Sequence, residues 1–479
     1  MNRRKFLALG GAGAAAVGLG LIEAMSDGSA QPNLLVIMTD DQPYYTIALY
    51  VEAEDAPYME AVVSHIQKQG ITFEPYAYVS TPICGPARAT LLTGKWSHNT
   101  GLTATEHPVA YRQLHNSSYE SHTIATRIKN AGYATYFGGK YTNGYDGKAM
   151  PPGWDSWFAM VEPLNEKDAF RYRSNSGIKK YDRSKHNETD VLSASAEGFL
   201  RNPERASQPW FAYVCPHAPH GPYFPAKRHV DEFTRTHLRD PDVEAKSSGT
   251  VGEKDLRDKP GWVQHKAPYT ANERRADTKE YRGKLRELQE VDDMVARLMG
   301  ALADTVQLNN TYVFFLTDNG YLLGEHGLHS KDIPYEEASR TPFIVRVPNL
   351  PSTHPPSTIT SDVMVSHIDL PPTLLHLARA SYSGLDGRSL VPIFESGGGR
   401  PGEGWVDEIF VEDVAGEIAG QSWYMLRTPE WAYVEWEHDA KELYDMNSDP
   451  FQLNSLHKSR TDIVGQLSER LRSYKQPSS

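Results

Sequence analysis

Two cysteines occur in the 479-residue chain, and one of them, Cys84, stands in a segment whose residue types could do chemistry: Thr81-Pro82-Ile83-Cys84-Gly85-Pro86-Ala87-Arg88, continuing to Leu91-Leu92-Thr93-Gly94. Pro86 suits the first turn of a helix and Gly94 its end, so the pattern predicts a helix beginning at Cys84. Exposed amides at a helix N-terminus, together with Arg88, would make the position electropositive and hold an anion. A low-pKa thiolate is one reading of such a cysteine; a packed core cysteine is the ordinary one. Oxygen donors are concentrated in Asp40-Asp41-Gln42 and in Asp318-Asn319-Gly320, each directly after an apolar run. Either pair alone is usual turn chemistry. Together, three carboxylates and an amide oxygen form a donor set for a hard cation, Ca2+ or Mg2+, and would repel one another without it. His217 and His220 follow a third apolar run, and Lys140 a fourth, in Gly138-Gly139-Lys140-Tyr141.

The elements that must position these groups are legible as short apolar runs that end in polar residues: 33–39, 133–137, 210–215, 312–317 and 343–347. They read as buried strands. Helical patterns lie between them at 58–69, 123–131, 194–200, 283–304 and 368–378. Strands alternating with helices predict an α/β fold, a large and mostly parallel sheet sandwiched by helices, with ligands gathering beyond the carboxyl ends of the strands. Residues 225–286 are polar, with 15 Lys/Arg against 11 Asp/Glu, and read as an insertion, either solvated or walling an anionic substrate. Glycines and prolines cluster near 396–404 and mark a boundary between a catalytic domain, 31–400, and a C-terminal α+β subdomain, 401–479. In the latter, 409–411, 423–427 and 432–436 predict antiparallel strands, and 461–473 a terminal helix.

Composition narrows the function. Nine Trp, 26 Tyr and 15 Phe supply a core. A net charge of −12 argues against a nucleic-acid partner, and two cysteines exclude a disulfide framework or a cysteine zinc site. The N-terminus carries Arg3, Arg4 and Lys5, an uncharged stretch from Phe6 to Ile22, and small residues at Gly28-Ser29-Ala30. Residues 1–30 thus read as a removable signal peptide, with no stable membrane insertion after its removal. The paired arginines resemble the twin-arginine export signal. That resemblance implies the export machinery as a partner and a periplasmic or extracellular location.

Cys84-Gly85-Pro86-Ala87-Arg88 followed by Leu91-Leu92-Thr93-Gly94 resembles the signature of the type I sulfatases at every position, and the flanking motifs stand in that family's order. The resemblance implies an alkaline-phosphatase-like fold and hydrolysis of sulfate monoesters. It implies that a formylglycine-generating enzyme converts Cys84 to formylglycine, an aldehyde whose hydrate carries the nucleophilic hydroxyl. It further implies calcium bound by Asp40, Asp41, Asp318, Asn319 and an oxygen of the converted residue 84, with Mg2+ the alternative from residue chemistry alone. Arg88 would hold formylglycine, Lys140 a sulfate oxygen, and His220 with Lys331 the bridging oxygen. Asp318 would act as base. One departure stands out. Many members have a histidine two residues after the lysine equivalent to Lys140, where this chain has Thr142 and then Asn143. His217 or a water would take over its role. Gly139-Lys140-Tyr141-Thr142-Asn143 and Pro151-Pro152-Gly153-Trp154 look like the N-acetylglucosamine-6-sulfatase and heparan-type branch, which implies a sulfated sugar or other sulfated small molecule as substrate. A phosphate or phosphonate ester hydrolase, and a non-catalytic binder of sulfated glycans, are the rival readings.

Overall fold

The computed structural model describes residues 31–47, 58–236, 238, 253, 255–348, 350, 359–402, 404–417, 419–438 and 440–476. The export-signal reading of residues 1–30 and the centre of the polar stretch after 238 lie outside them.

Ten strands form the main sheet: β1 (Asn33–Thr39), β2 (Gly70–Phe73), β3 (Ala134–Gly139), β4 (Ser156–Met160), β5 (Ala169–Ser174), β6 (Gly177–Asp182), β7 (Trp210–Cys215), β8 (Thr311–Thr317), β9 (Phe343–Arg346) and β10 (Ile359–Ser361). Their spatial order is β10-β2-β9-β8-β1-β7-β3-β4-β5-β6. The central strands β8, β1, β7, β3 and β4 are parallel neighbours. β9 runs antiparallel to both β8 and β2, and β5 and β6 extend the other edge as an antiparallel hairpin.

Every residue of β1 is buried, because both faces of the sheet are covered. Period-2 alternation sends Leu34, Val36 and Met38 to one side and Leu35 and Ile37 to the other. The first side packs on α1 (Cys84–Thr93), α2 (Ile124–Asn130) and α5 (Leu370–Leu377) through Leu91, Leu92, Ile128 and Leu374. The second packs on α3 (Glu188–Leu200) and α4 (Ala271–Asp304) through Leu192, Ala196, Leu285 and Leu288.

Two helices begin earlier than the sequence pattern predicts. α3 starts at Glu188 rather than 194, since the Asn187 side chain accepts a hydrogen bond from the Asp190 amide. α4 starts at Ala271 rather than 283, closed by a capping box between Thr270 and Glu273. The stretch 225–286 is therefore not one excursion: its last sixteen residues belong to the first turns of α4, where Asp277, Tyr281 and Lys284 are buried despite the polar composition.

The C-terminal part folds as an antiparallel meander, β11 (Ile409–Asp413), β12 (Trp423–Arg427), β13 (Trp431–Trp436) and β14 (Lys441–Asp445), with α6 (Thr461–Tyr474) packed on it through Leu467 and Leu471. Its other face, including Val411, Met425 and Val434, covers Tyr78, Ile333 and Tyr335 in the loops of the main body.

Candidate active site

The carboxyl ends of β1 and β8 are stitched together. The Asp318 amide donates to Thr39 O at 3.1 Å, and the Asp41 amide donates to Asp318 Oδ1 at 3.2 Å. Asp41 takes a left-handed backbone, φ 60°, which turns the chain sharply after the strand. The result is Asp40, Asp41, Asp318 and Asn319 all buried at one sheet edge.

Cys84 is delivered from the opposite loop as the first residue of α1, which ends at Gly94 in the left-handed conformation the sequence predicts. Its Sγ lies 3.3 Å from Asp40 Oδ1 and 3.8 Å from Asp41 Oδ1. One turn along α1, Arg88 is buried; its Nε donates to Asp318 Oδ2 at 2.9 Å and one terminal nitrogen donates to Lys140 O at 2.6 Å. Lys140 follows β3 through Gly139, φ 101°, where a Cβ would stand 1.8 Å from Cys215 O, so only glycine fits. The Lys140 ammonium bonds Asp40 and the Lys331 ammonium bonds Asp41. Lys331 Nζ also lies 2.7 Å from Cys84 Sγ, and its loop is tied to the Cys84 segment by the Asp332 amide donating to Pro82 O at 2.9 Å. His220 Nε2 is 3.6 Å from Asp41 Oδ2. The structure thus gathers Asp40, Asp41, Cys84, Arg88, Lys140, His220, Asp318, Asn319 and Lys331 around one point.

Three further sequence candidates lie around this cluster. His217 stacks on His220 with ring centres 4.8 Å apart, and its Nδ1 is 3.5 Å from Glu188 Oε1. Thr142 is buried beside Lys140 in the chain. Asn143 donates to Thr105 O at 2.9 Å, and Thr105 Oγ1 in turn accepts the Gly85 amide at 3.1 Å.

Charge balance sets the proton states. Burial alone would raise the Asp40 carboxyl, yet Lys140, His220, Arg88 and Lys331 hold it well below the ordinary carboxylate range. Burial and the neighbouring Asp40 push Asp318 the other way, upward. Burial likewise opposes the charge on Lys331, but Asp41 keeps its pKa well above the usual lysine value. His220 is pushed down to about 3, by burial first. Cys84 is moved well above the usual thiol range by burial, with Asp318 and Asp40 adding to it. The thiolate reading therefore fails: these effects outweigh the helix N-terminus and Arg88, and the unmodified residue is a neutral thiol.

Sequence reasoning missed Lys284. From the buried face of α4 it donates to Asp41 O at 3.1 Å and sits 3.7 Å over the Tyr321 ring. A signal existed, since a lysine interrupts the apolar stripe of Tyr281, Leu285 and Leu288. It was hidden by the polar surroundings of that stretch.

The donor set fits a hard cation. Asn319 Nδ2 is engaged by Asp41 Oδ1 at 2.6 Å and by Gly320 O at 2.9 Å, while its buried Oδ1 has no hydrogen-bond partner. An orphaned amide oxygen among carboxylates is what an oxygen-seeking ion requires. Ligand atoms of Asp40, Asp41, Cys84 and His220 lie within 4.8 Å of one another.

A cysteine-headed helix thus faces two carboxylate-bearing strand ends. The family model described as sulfatase matches residues 32–380, and one described as N-sulphoglucosamine sulphohydrolase, C-terminal, matches 324–477. The chain belongs to the sulfatase family, and its reaction class is sulfate-ester hydrolysis. It is 32% identical to a putative extracellular sulfatase Sulf-1 homolog of Caenorhabditis elegans over 76% of this chain, though it spans only about half (49%) of that protein. It is 28% identical to the N-acetylglucosamine-6-sulfatase of Homo sapiens, covering 93% of this chain and 84% of that one. Among solved structures, BT4656 in complex with its substrate D-glucosamine-2-N,6-O-disulfate superposes with a TM-score of 0.75 at 22% identity, covering 93% of this chain and 98% of that one. Fold and family thus agree with the α/β architecture and the enzyme class expected from the sequence.

Proposed function

We propose that this sulfatase cleaves a sulfate monoester from a sugar, using formylglycine made from Cys84 and a divalent cation held by Asp40, Asp41, Asp318, Asn319 and an oxygen on residue 84. The observation that carries the reading is the position of Cys84 Sγ, which stands in for the aldehyde oxygen, against Asp40, Asp41 and Lys331. The cation, Ca2+ by family resemblance, supplies when bound a positive charge that lowers the energy of an oxyanion and neutralises part of the sulfate. Formylglycine supplies, once hydrated, one hydroxyl that attacks sulfur and a second whose deprotonation releases sulfate.

The remaining roles belong to side chains in place. Arg88 fixes Asp318 and Asp40 in orientation. Asp318, beside residue 84 and oriented by Arg88, would accept the proton of the attacking hydroxyl. Lys331 stays charged and holds a proton at the departing sugar oxygen, while His220, its Nδ1 donating to Gly221 O at 2.5 Å, turns Nε2 toward Asp41 beside it. Lys140 stands at the sulfate end of the cleft. His217, oriented by Glu188, takes the place of the family histidine absent at Thr142; unchanged turnover in His217→Ala would remove it from the mechanism. A sugar as the alcohol part is supported by the relatives' substrates and by a cleft of about 560 Å³ opening beside Lys140 and His220. Export to the periplasm or exterior is supported by the layout of residues 1–30 and by the extracellular relative; among the described residues no helix is long and apolar enough to cross a membrane.

Mass spectrometry of the peptide containing residue 84, purified from the native host, tests the reading directly. An aldehyde there is expected, with turnover that a chelator removes and Ca2+ restores. An intact thiol in active protein would overturn the mechanism.

A further inference from the structure

The loops that leave β1, β7 and β8 are all met by one side chain of α4, Lys284, which is fully buried. Its ammonium donates to Asp41 O at 3.1 Å, in the turn after β1. It also donates to Pro219 O at 3.4 Å, in the loop after β7 that continues into His220. It stands 3.7 Å over the ring of Tyr321, which follows Asn319-Gly320 after β8. A second ring, Tyr223, has its centre 5.9 Å from the ammonium. Tyr223 can pack there because residue 283 is glycine; a Cβ on Gly283 would stand 2.6 Å from its ring.

A buried ammonium is costly unless it is paired. Lys140 and Lys331 meet that need with carboxylates of the site, bonding Asp40 and Asp41. Lys284 meets it differently. Among the described residues both its hydrogen-bond acceptors are main-chain carbonyls, and an aromatic face supplies the rest. Its charge therefore stands beside the site without occupying a carboxylate oxygen. Glu280, one turn earlier on α4, is engaged by Tyr223 at 2.8 Å and by His329 at 3.0 Å.

Asp41 needs such a hold. Its φ of 60° is a conformation that a residue with a Cβ keeps only where its surroundings impose it. Its amide donates to Asp318 Oδ1, and its carboxylate accepts from Asn319 Nδ2. Both partners are themselves oxygen donors for the proposed cation. The bond from Lys284 anchors the carbonyl side of the turn to a long helix instead.

We propose that Lys284 is a positioning residue for the cation site: it holds the Asp41 turn and the His220 loop against α4, so that the Asp41 carboxylate is aimed before an ion arrives. The inference rests on the divalent-cation reading and adds to it a group that touches neither the ion nor the sulfate. Groups that orient metal ligands from outside govern affinity as well as geometry.

Calorimetric titration of Ca2+ into chelator-treated, formylglycine-bearing protein tests this without turnover. Lys284→Met keeps the apolar stem and removes the ammonium, and its Kd for Ca2+ should rise about tenfold or more. Tyr321→Leu removes the ring beneath the ammonium and no charge, and should raise Kd about threefold. It carries the test where Lys284→Met does not fold. Glu442→Gln, a buried substitution in β14, reports what a general loss of stability does, and should leave Kd within about twofold of wild type. A folded Lys284→Met that binds Ca2+ like the wild type overturns the inference, and so does an equal loss of affinity in Glu442→Gln. Where Lys284→Met does not fold, a wild-type Kd in Tyr321→Leu overturns it. Wild-type protein that takes up no Ca2+ removes the cation site itself, a result distinct from wild-type binding that Lys284→Met leaves unchanged.

Discussion

Two buried charge clusters lie on either side of the Cys84 and Lys331 loops, and they are built to opposite ends. In the cluster under the C-terminal meander, Glu442 accepts from Trp436 Nε1 at 2.7 Å, from Tyr335 at 3.1 Å and from Tyr444. Lys259 donates to Tyr444 at 3.0 Å and to Gln452 O. Arg427 Nε bonds Glu336 at 3.0 Å, and the Tyr78 hydroxyl donates to the same carboxylate. Both oxygens of Glu442 are satisfied from within the protein, which makes a rigid clamp between meander and main body. In the cluster at the ends of β1 and β8, Asp40, Asp41 and Asp318 face Arg88, Lys140 and Lys331, and Asn319 Oδ1 is left unpaired. Lys284 adds a fourth cation from α4, and a divalent cation, as proposed, would add the charge that lets such a cluster hold an anion. Burial of charge alone therefore does not mark function.

Substitutions can break that contrast, beginning with the largest expected effect. Cys84→Ala should lower turnover of an aryl sulfate by about a thousandfold or more, with the unfolding midpoint close to wild type, because it removes the proposed nucleophile and no charge. Substantial residual turnover would mean that residue 84 is not the nucleophile. Arg88→Met strands Asp40 and Asp318 without their shared partner. Chemical denaturation should show a loss of about 3–5 kcal/mol together with loss of activity; a stable but inactive variant would show that Arg88 has no structural share. Glu442→Gln leaves Tyr335, Tyr444 and Trp436 with a poorer acceptor and should cost about 1–3 kcal/mol of stability. Its kcat/KM should stay within about twofold, since the two clusters are separate; a large kinetic defect would join what the structure separates.

The smallest effect concerns pH, and its sign differs between the clusters. Asp40 is held below its ordinary pKa of 3.8, so its contribution is present above that value and lost as pH falls through the folded pKa. Glu442 is raised above its ordinary 4.5, by burial first, so its contribution is fullest below 4.5 and lost as pH rises through the folded pKa. The stability penalty of Glu442→Gln should accordingly be largest near pH 4.5 and shrink toward higher pH, read as the difference in unfolding midpoint. A penalty that grows with pH would place the Glu442 shift in the opposite direction.

The chemistry-bearing residues were legible because each sits where one strand or helix begins or ends, and ends are written locally. Asp40-Asp41 and Asp318-Asn319 follow buried apolar runs, Lys140 follows a Gly-Gly pair, and Cys84 opens a helix that Pro86 and Gly94 punctuate. The same locality made β1, β7 and β8 readable to within a residue. Edge strands β5 and β6 were not, since Arg171, Lys179 and Lys180 serve a half-solvated hairpin and blur the apolar run. The start of α4 was lost for a similar reason, and Lys284 with it.

What the sequence determined by itself was the inventory: the cysteine that opens a helix, the oxygen donors, the basic groups and the parallel-sheet class that sends them to one edge. Tertiary structure alone decided which cation meets which carboxylate, that Asn319 keeps an oxygen free, and that the Cys84 thiol is neutral. The reason is physical. Strand ends and helix caps are set by a few neighbouring residues, whereas proton affinity and ligand selection depend on burial and on charges brought together from across the chain.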